Sequence, residues 1–447
     1  MTAQLKDTIV ALSTPLGKGA LAIVRVAGPQ ARQICTARLQ HTLPPRQAVF
    51  ATFYDGAQMV DELVATYFKA PHSYSGDEVV ELCCHGSVYV QQKLVECLIH
   101  DGCRMAEPGE FTRRAFLNGQ LNLAQAEAVA DLIDATNAGA HHLAVSALRG
   151  GYAQSLAMLR SQLVDITALL ELELDFSDED VEFADRTQLQ RMLETANTTC
   201  TRLSESFSTG NAIRSGVPVA IVGPPNAGKS TLLNMLVGDD RAIVSDQPGT
   251  TRDTIEDQLV IDGIAFRIID TAGLRHTDND IEQAGIDRSY RAIEAAQMVL
   301  VVVDAGKTDE VEPLLSDIRS HCTLDDKQLL ILINKCDIYP DATPDIPIPS
   351  LLLSALKGQG RDALCQWLTS RYIDQGQPLV SNIRHYEALK ATAHACGNAL
   401  DALRQNRSAD LVAIDLREAI HHLGTITGEV TSDEVLGVIF SRFCVGK

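Results

Sequence analysis

The chain has no excess of positive charge. Its 38 lysines and arginines stand against 58 aspartates and glutamates, a formal net charge of −20 over 447 residues. That argues against gripping nucleic acid through a general basic surface, so any RNA contact is expected to be local or shared with a partner. Eleven cysteines are scattered without a Cys-x-x-Cys pair or a Cys/His ligand spacing, and their number is odd. Free thiols in a reducing cytoplasm are the simplest reading. Met1 to Asp7 lacks the basic-then-apolar pattern of a signal segment. No apolar run approaches the ~20 residues that span a bilayer. A cytoplasmic chain that makes no membrane contact is therefore expected.

What is present describes an ordinary globular protein, 45% hydrophobic and 21% charged, long enough for two to four domains. Residues 1–118 interleave strand and helix signals. Thr8–Leu12, Leu21–Val26, Gln47–Tyr54, Glu62–Phe68 and Val79–Cys84 read as strands; Gln30–Leu39 and Ser87–His100 read as helices. From Asn122 the chain turns helical, over Leu123–Asp134, Ala138–Glu173 (interrupted at Gly150-Gly151) and Thr187–Phe207. Ser208-Thr209-Gly210 is expected to close that block, and the acidic Phe176–Asp180 reads as a solvated loop. Residues 217 to about 373 alternate strand and helix, the pattern of a mostly parallel sheet, with strands expected at Val217–Val222, Gln258–Ile261, Ala265–Ile269, Met298–Val303, Leu329–Ile333 and Ser350–Leu353. Residues 375–447 return to helix, over Arg384–Gln405, Ser408–Gly424 and Ser432–Phe440. The two helical blocks are expected to pack on each other, with the α/β domain inserted between them. The domains expected are 1–118 (α+β), 119–212 (helical, first part), 213–375 (α/β) and 376–447 (helical, second part).

The stretch that organises the chain is Gly223-Pro224-Pro225-Asn226-Ala227-Gly228-Lys229-Ser230, between an apolar strand and a helix that starts with Thr231. This is a phosphate-binding loop in its required context. Its backbone N–H groups face phosphate, Lys229 reaches the β- and γ-phosphates, and Ser230 ligates magnesium. Four further stretches follow in order. In Gly249-Thr250-Thr251-Arg252-Asp253, Thr251 is placed to ligate magnesium, and the loop around it can switch. Asp270-Thr271-Ala272-Gly273 ends a strand, with Asp270 on magnesium-bound water and the Gly273 N–H on the γ-phosphate. Asn334-Lys335-Cys336-Asp337 reads the base. The Asp337 carboxylate accepts the N1–H and N2–H of guanine, whereas adenine would meet it with a lone pair. Lys335 covers the base face, and Ser354-Ala355 offers a backbone N–H to the guanine carbonyl. These pieces together describe a Ras-like P-loop GTPase domain.

The glutamine that often follows Asp-x-x-Gly is missing; the position is Leu274, which cannot polarise water. Arg275, His276, Asp278, Asp280 and Glu282 are the polar candidates, each also readable as a solvated loop charge. Asn226 has two readings as well. Its side-chain carbonyl either ligates a monovalent cation beside the phosphates or satisfies the loop backbone.

The ending Phe443-Cys444-Val445-Gly446-Lys447 strongly resembles that of the MnmE (TrmE) family of tRNA modification GTPases. Asp7–Ala11, Gly109–Asn118 and Leu123–Ala128 extend the likeness over essentially the whole chain. The resemblance implies a homodimer working with the flavoprotein MnmG, in a heterotetrameric or larger complex, on certain tRNAs. The product carries an aminomethyl or carboxymethylaminomethyl group on C5 of the wobble uridine. It implies an amino-terminal α+β domain that binds a tetrahydrofolate derivative (5-formyl or 5,10-methylene type) and forms the dimer. It also implies potassium-assisted closure of the paired GTPase domains. Residue by residue, Asn226, Ser245, Gln247 and Thr250 match the potassium ligands, within the loop Ser245-Asp246-Gln247-Pro248-Gly249-Thr250. Glu282 matches the catalytic glutamate, and Arg25, Glu81, Gln120 and Lys447 match folate positions. Gln120 falls where members of that family can carry a lysine. Cys444 matches the essential terminal cysteine; its plain alternative is a buried small residue near a helix end. Two other functions remain open at this point: a ribosome-assembly GTPase, and a folate-dependent one-carbon transferase with a regulatory GTPase domain.

Overall fold

The protein is described by a computed structural model covering residues 7–175, 186–237, 257–269, 282–324, 327–340, 348–370, 372, 379–405, 407–441 and 443–447. Two compact units are present, each taken by itself: residues 1–134, 145–197 and 391–447, and residues 135–144 and 198–390.

In the first unit a six-stranded sheet runs in the order β3-β4-β5-β2-β1-β6. These are β1 (Ile9–Leu12), β2 (Leu21–Ala27), β3 (Ala48–Asp55), β4 (Gln58–Phe68), β5 (Val79–His85) and β6 (Arg104–Met105). All neighbours are antiparallel except β1 and β6. Alternation along each strand gives the sheet two apolar faces. Val10, Val24, Val26 and Leu82 face α1 (Ala31–Leu39) and α2 (Val88–His100). Ile9, Ala11, Ala27 and Val79 face Phe111 of α3 (Glu110–Leu117). The sequence reading missed β6 and α3. The first is two residues long, and α3 follows Gly109 at φ +66° with no side-chain cap.

A buried ionic cluster pins α3. Glu110 and Arg114 are each 1% exposed. Glu110 accepts from Arg104 at 2.7 Å and Arg114 at 3.0 Å, and Asp7 joins both arginines. Burial alone would raise the carboxyl pKa of Glu110 and of Asp7, but the hydrogen bonds from Arg104 and Arg114 outweigh it and hold both below the usual value. Groups held low in the fold stabilise it above their unfolded pKa and lose that contribution as pH falls through the folded one. The melting temperature of this unit is therefore expected to drop as pH falls below about 4. Glu110→Gln should cost about 3 kcal/mol at neutral pH by stranding the arginines, and it should flatten the acid dependence. A melting curve series from neutral pH to pH 3 checks both.

The helices of this unit, besides α1 to α3, include α4 (Leu123–Asp134), α6 (Gly151–Asp175), much of α7 (Arg186–Glu205), the end of α13 (Ile383–Arg404), α14 (Ala409–Thr427) and α15 (Asp433–Phe440). α6 packs along α14, with Arg160 Nε donating to Ile420 O at 3.3 Å and Arg417 Nε to Glu171 Oε1 at 2.9 Å. The segments before and after the α/β domain thus do pack on each other. The Gly150-Gly151 interruption is real: both have positive φ, and α5 (Ala138–Leu148) ends just before them.

The second unit holds a sheet of order β12-β11-β10-β7-β9-β8. Its strands are β7 (Val217–Val222), β8 (Asp257–Ile261), β9 (Ile264–Ile269), β10 (Met298–Asp304), β11 (Gln328–Asn334) and β12 (Ser350–Leu352). Each pair is parallel except β8–β9, whose two-residue turn has positive φ at Asp262 and Gly263. Six consecutive residues of β10, Met298–Val303, are buried, as suits a central strand covered on both faces. Residues 135–144, with the start of α5, belong to this unit, and Gly139 N donates to Gly263 O at 2.8 Å. One expectation is corrected. Ser208-Thr209-Gly210 does not close the helical block but lies inside α8 (Phe207–Ser215). A Cβ on Gly210 would stand 2.3 Å from Val380 O, so the glycine serves close packing of a continuing helix.

Candidate functional site

The loop Gly223–Ser230 leaves the end of β7 and opens α9 (Lys229–Val237). Gly223, at φ +147°, passes so close to β10 that a Cβ would stand 2.1 Å from Val302 O. Asn226 is left-handed at φ +61°, and it is exposed. This winding shapes a concave loop at the end of the strand, the backbone form that suits an anion at a helix start. Lys229 Nζ folds back onto Gly223 O at 2.8 Å and Pro224 O at 2.9 Å. Burial pushes its ammonium pKa down, so a phosphate arriving there would be met by an incompletely solvated cation. Ser230 and Thr231 sit in the first turn of α9, and both are half-buried. The residues present fit a nucleotide with its magnesium: a cradle shaped by glycines, a lysine and a hydroxyl at a helix start.

The structure brings the base-reading stretch to the same place through one buried side chain. Asn334, 3% exposed at the end of β11, donates Nδ2 to Ala227 O at 2.8 Å. Its Oδ1 accepts Ala355 N at 2.9 Å. Phosphate loop and Ser354-Ala355 loop are thus bracketed by a single amide. Gly228 exists to admit it, since a Cβ there would stand 2.2 Å from Asn334 Nδ2. Lys335, at φ +68°, sends Nζ to Asp304 Oδ2 at 2.6 Å, and Cys336 N bonds Leu353 O. Burial would raise the Asp304 carboxyl pKa, but Lys335 and the Gly306 N–H bring it below the usual value. Asp337 follows on the turn and is exposed. Ser354 is fully buried, its Oγ accepting Lys357 N. Sequence reasoning missed Asp304; a lone acidic residue after an apolar strand carries no signal of its own.

Ser245, Asp246, Gln247, Pro248, Gly249, Thr250, Thr251, Asp270, Thr271, Ala272 and Gly273 lie outside the described residues. So do Leu274, Arg275, His276, Asp278, Asp280 and the Phe176–Asp180 loop. Glu282 is the first residue of α10 (Glu282–Ala295), and of it only that place is described.

In the first unit a second cluster gathers residues from both ends of the chain. Arg25 on β2 pairs with Glu81 on β5 at 2.9 Å, directly across the sheet. Its guanidinium lies between the rings of Tyr74 and Phe111, 5.4 and 5.5 Å from their centroids. Its NH1 also donates to Gly446 O at 3.3 Å. The terminal residues are seated on this edge: Gly109 N bonds Cys444 O, Phe111 N bonds Lys447 O, and Ser13 Oγ donates to Gly446 O at 3.1 Å. Gly446 has φ +98°, and a Cβ there would stand 2.2 Å from Leu12 O. Arg25, Glu81 and Lys447 are therefore brought together. Gln120 follows α3, its N bonding Ala115 O and its side chain packed by Gly76. Cys444 is exposed, so the reading of it as a buried small residue fails. The sequence reading missed Tyr74 and did not single out Phe111, although Phe111 lies within the quoted Gly109–Asn118 stretch.

All eleven cysteines are free, and no helix among the described residues is long and apolar enough to cross a membrane. Residues 8–120 match the family description "GTP-binding protein TrmE N-terminus", and residues 123–444 match "MnmE helical domain". The tRNA modification GTPase MnmE of Parabacteroides distasonis is 44% identical, covering 99% of this chain and all of that protein. The one from Bacteroides fragilis is 44% identical with the same coverage. Among solved structures, the G domain of the T. maritima FeoB iron transporter is 24% identical over 35% of this chain and 99% of that one, with a TM-score of 0.26, too low to decide anything. The match over nearly the full length supersedes the ribosome-assembly reading. The chain belongs to the MnmE (TrmE) family of tRNA modification GTPases, GTP-hydrolysing enzymes that act on tRNA.

Proposed function

We propose that this chain is a potassium-stimulated GTPase whose cycle gates the addition of an aminomethyl or carboxymethylaminomethyl group to C5 of the wobble uridine. It does so in the cytoplasm as a homodimer, together with the flavoprotein MnmG. The observation that carries the reading is the seating of Cys444–Lys447 against Arg25, which joins the family's terminal motif to its folate-type pair Arg25–Glu81. A tetrahydrofolate derivative bound there would supply the one-carbon unit, with Arg25, Glu81, Gln120 and Lys447 as its contacts. At the nucleotide, Ser230 and Thr251 hold magnesium. Asn226, exposed at the crest of the phosphate loop, holds potassium with Ser245, Gln247 and Thr250. Asn226 through Thr231, Ser245 through Thr251, Asp270 through Gly273, and Asn334, Lys335, Asp337, Ser354 and Ala355 bind GTP. The test is nucleoside analysis of tRNA from cells lacking the protein; an unaltered wobble uridine pattern would overturn the reading.

Two turnover experiments examine the GTPase half. Exchanging potassium for sodium at constant ionic strength should lower GTP turnover about tenfold, the effect of one misplaced stabilising charge; equal rates would remove the role given to Asn226. Glu282→Ala should lower turnover about a hundredfold while leaving GTP affinity unchanged. A matched loss of both would make Glu282 a binding residue.

A further inference from the structure

Asp304 ends β10 opposite Asn334, the residue before Lys335. Both oxygens of its carboxylate are engaged. Oδ2 accepts from Lys335 Nζ at 2.6 Å, and Oδ1 accepts from Gly306 N at 3.0 Å. The carboxylate is thus aimed by its own loop as well as by the lysine. Lys307, also close to it, donates to Glu310 Oε1 at 2.9 Å and leaves Lys335 as the cation that Asp304 holds.

The other end of Lys335 is fixed through the backbone. Its carbonyl accepts Ile338 N at 3.0 Å and Tyr339 N at 3.3 Å. Its φ of +68° lies in the left-handed region, which is unfavourable for a residue with a Cβ and persists where the surroundings impose it. The Tyr339 ring lies against Gly306, where a Cβ would meet it at 2.6 Å, so the loop after β10 and the turn after β11 also touch directly. The lysine and aspartate side chains are 33% and 19% exposed, and an ion pair in such a place returns little stability against the entropy of ordering a long side chain. Backbone strain and an ordered lysine are maintained together, two residues before Asp337, and stability of the fold does not explain them.

We infer that Asp304 is a positioning residue for the guanine nucleotide. It acts through Lys335, holding the lysine stem extended between two fixed ends, and so it sets how long a nucleotide stays bound. The inference rests on the reading of Lys335 as the cover of the base face. A lysine stem is an apolar surface on a flexible chain. Left free, it would have to be ordered each time a base arrives. Anchored by Asp304, it is ordered beforehand, and binding no longer bears that cost. The division of labour is then simple. Asp337 reads the edge of the base, Lys335 covers its face, and Asp304 keeps the cover in place without touching the nucleotide.

The test follows dissociation of N-methylanthraniloyl GDP, a fluorescent nucleotide, from the full-length protein. Asp304→Asn keeps the shape and an acceptor for Gly306 N but removes the charge that holds Lys335. It should speed dissociation about tenfold, the cost of ordering one long side chain. KM for GTP should rise by the same factor while kcat at saturating GTP stays within about twofold, a split that a merely loosened fold would not produce. A contact with the face is indifferent to the groups on the edge, so inosine diphosphate should lose the same factor as GDP. Lys335→Met leaves an unanchored stem and should also release the nucleotide about tenfold faster. Combined with Asp304→Asn it should show no further loss, because both changes remove one interaction. Unchanged dissociation from Asp304→Asn beside a faster one from Lys335→Met overturns the inference and leaves the base cover standing. Additive losses in the double variant overturn it too, since Asp304 would then act by another route. Unchanged dissociation from Lys335→Met removes the base cover itself, and the inference with it.

Discussion

Asp337→Asn should lower GTP affinity by about a thousandfold or more and transfer preference to xanthosine triphosphate. A site that hydrogen-bonds a substrate group rejects the mismatched partner by roughly 10⁴–10⁵ when its buried polar groups are left unpaired; the exposed position of Asp337 reduces that figure. Guanine gives two donors to the carboxylate. Asparagine keeps one acceptor for N1–H but turns an N–H toward the guanine amino group. Xanthine carries a carbonyl at that position, and the same amide then pairs on both atoms. The backbone that aims residue 337 is held independently of its side chain. Lys335 is fixed by Asp304, Cys336 N is tied to Leu353 O, and Ile338 N returns to Lys335 O. The substitution should therefore leave the melting temperature nearly unchanged, as surface changes within about 0.5 kcal/mol do. Titration with both triphosphates decides the matter. Unchanged GTP affinity would mean that another residue reads the base.

Asn334→Ala should destabilise the second unit by about 4 kcal/mol and weaken GTP binding on the order of a thousandfold. Both bonds of this amide are internal, to Ala227 O and from Ala355 N. Truncation strands a carbonyl and an N–H in a place no water reaches, each costing about 1–3 kcal/mol. It also releases the phosphate loop from the loop that carries Ser354 and Ala355, so two halves of a nucleotide site lose their common register. Asn334→Asp is the informative companion. It keeps an acceptor for Ala355 N but sets a carboxylate against Ala227 O, so it should be at least as damaging despite its shape. Thermal melts and GTP titration measure both effects. A melting temperature close to wild type for Asn334→Ala would show that the loops are held by other contacts.

Much of this was legible before any coordinates. Apolar runs bounded by turn residues located β7 to β12 to within a residue or so, most clearly for β10 and β11, because a strand buried on both faces admits little but apolar side chains. The short β6 and uncapped α3 escaped, and so did the continuation of α8 through Gly210. In each case a distant partner decides the local structure: β1 for β6, Asp7 on the buried Arg114 for α3, and the Val380 carbonyl for Gly210.

The phosphate loop, the Asn-Lys-Cys-Asp stretch and the terminal Phe-Cys-Val-Gly-Lys were legible as patterns in the sequence alone, since each is local and its signal lies in its spacing. Only the tertiary structure decided what joins them. That Asn334 brackets two loops, that Gly446 lies against β1 and Arg25, and that Asp304 holds the end of Lys335 are contacts across 21 to 433 residues of chain. No periodicity or composition records such contacts, because they depend on where packing brings the backbone rather than on what neighbours it in sequence.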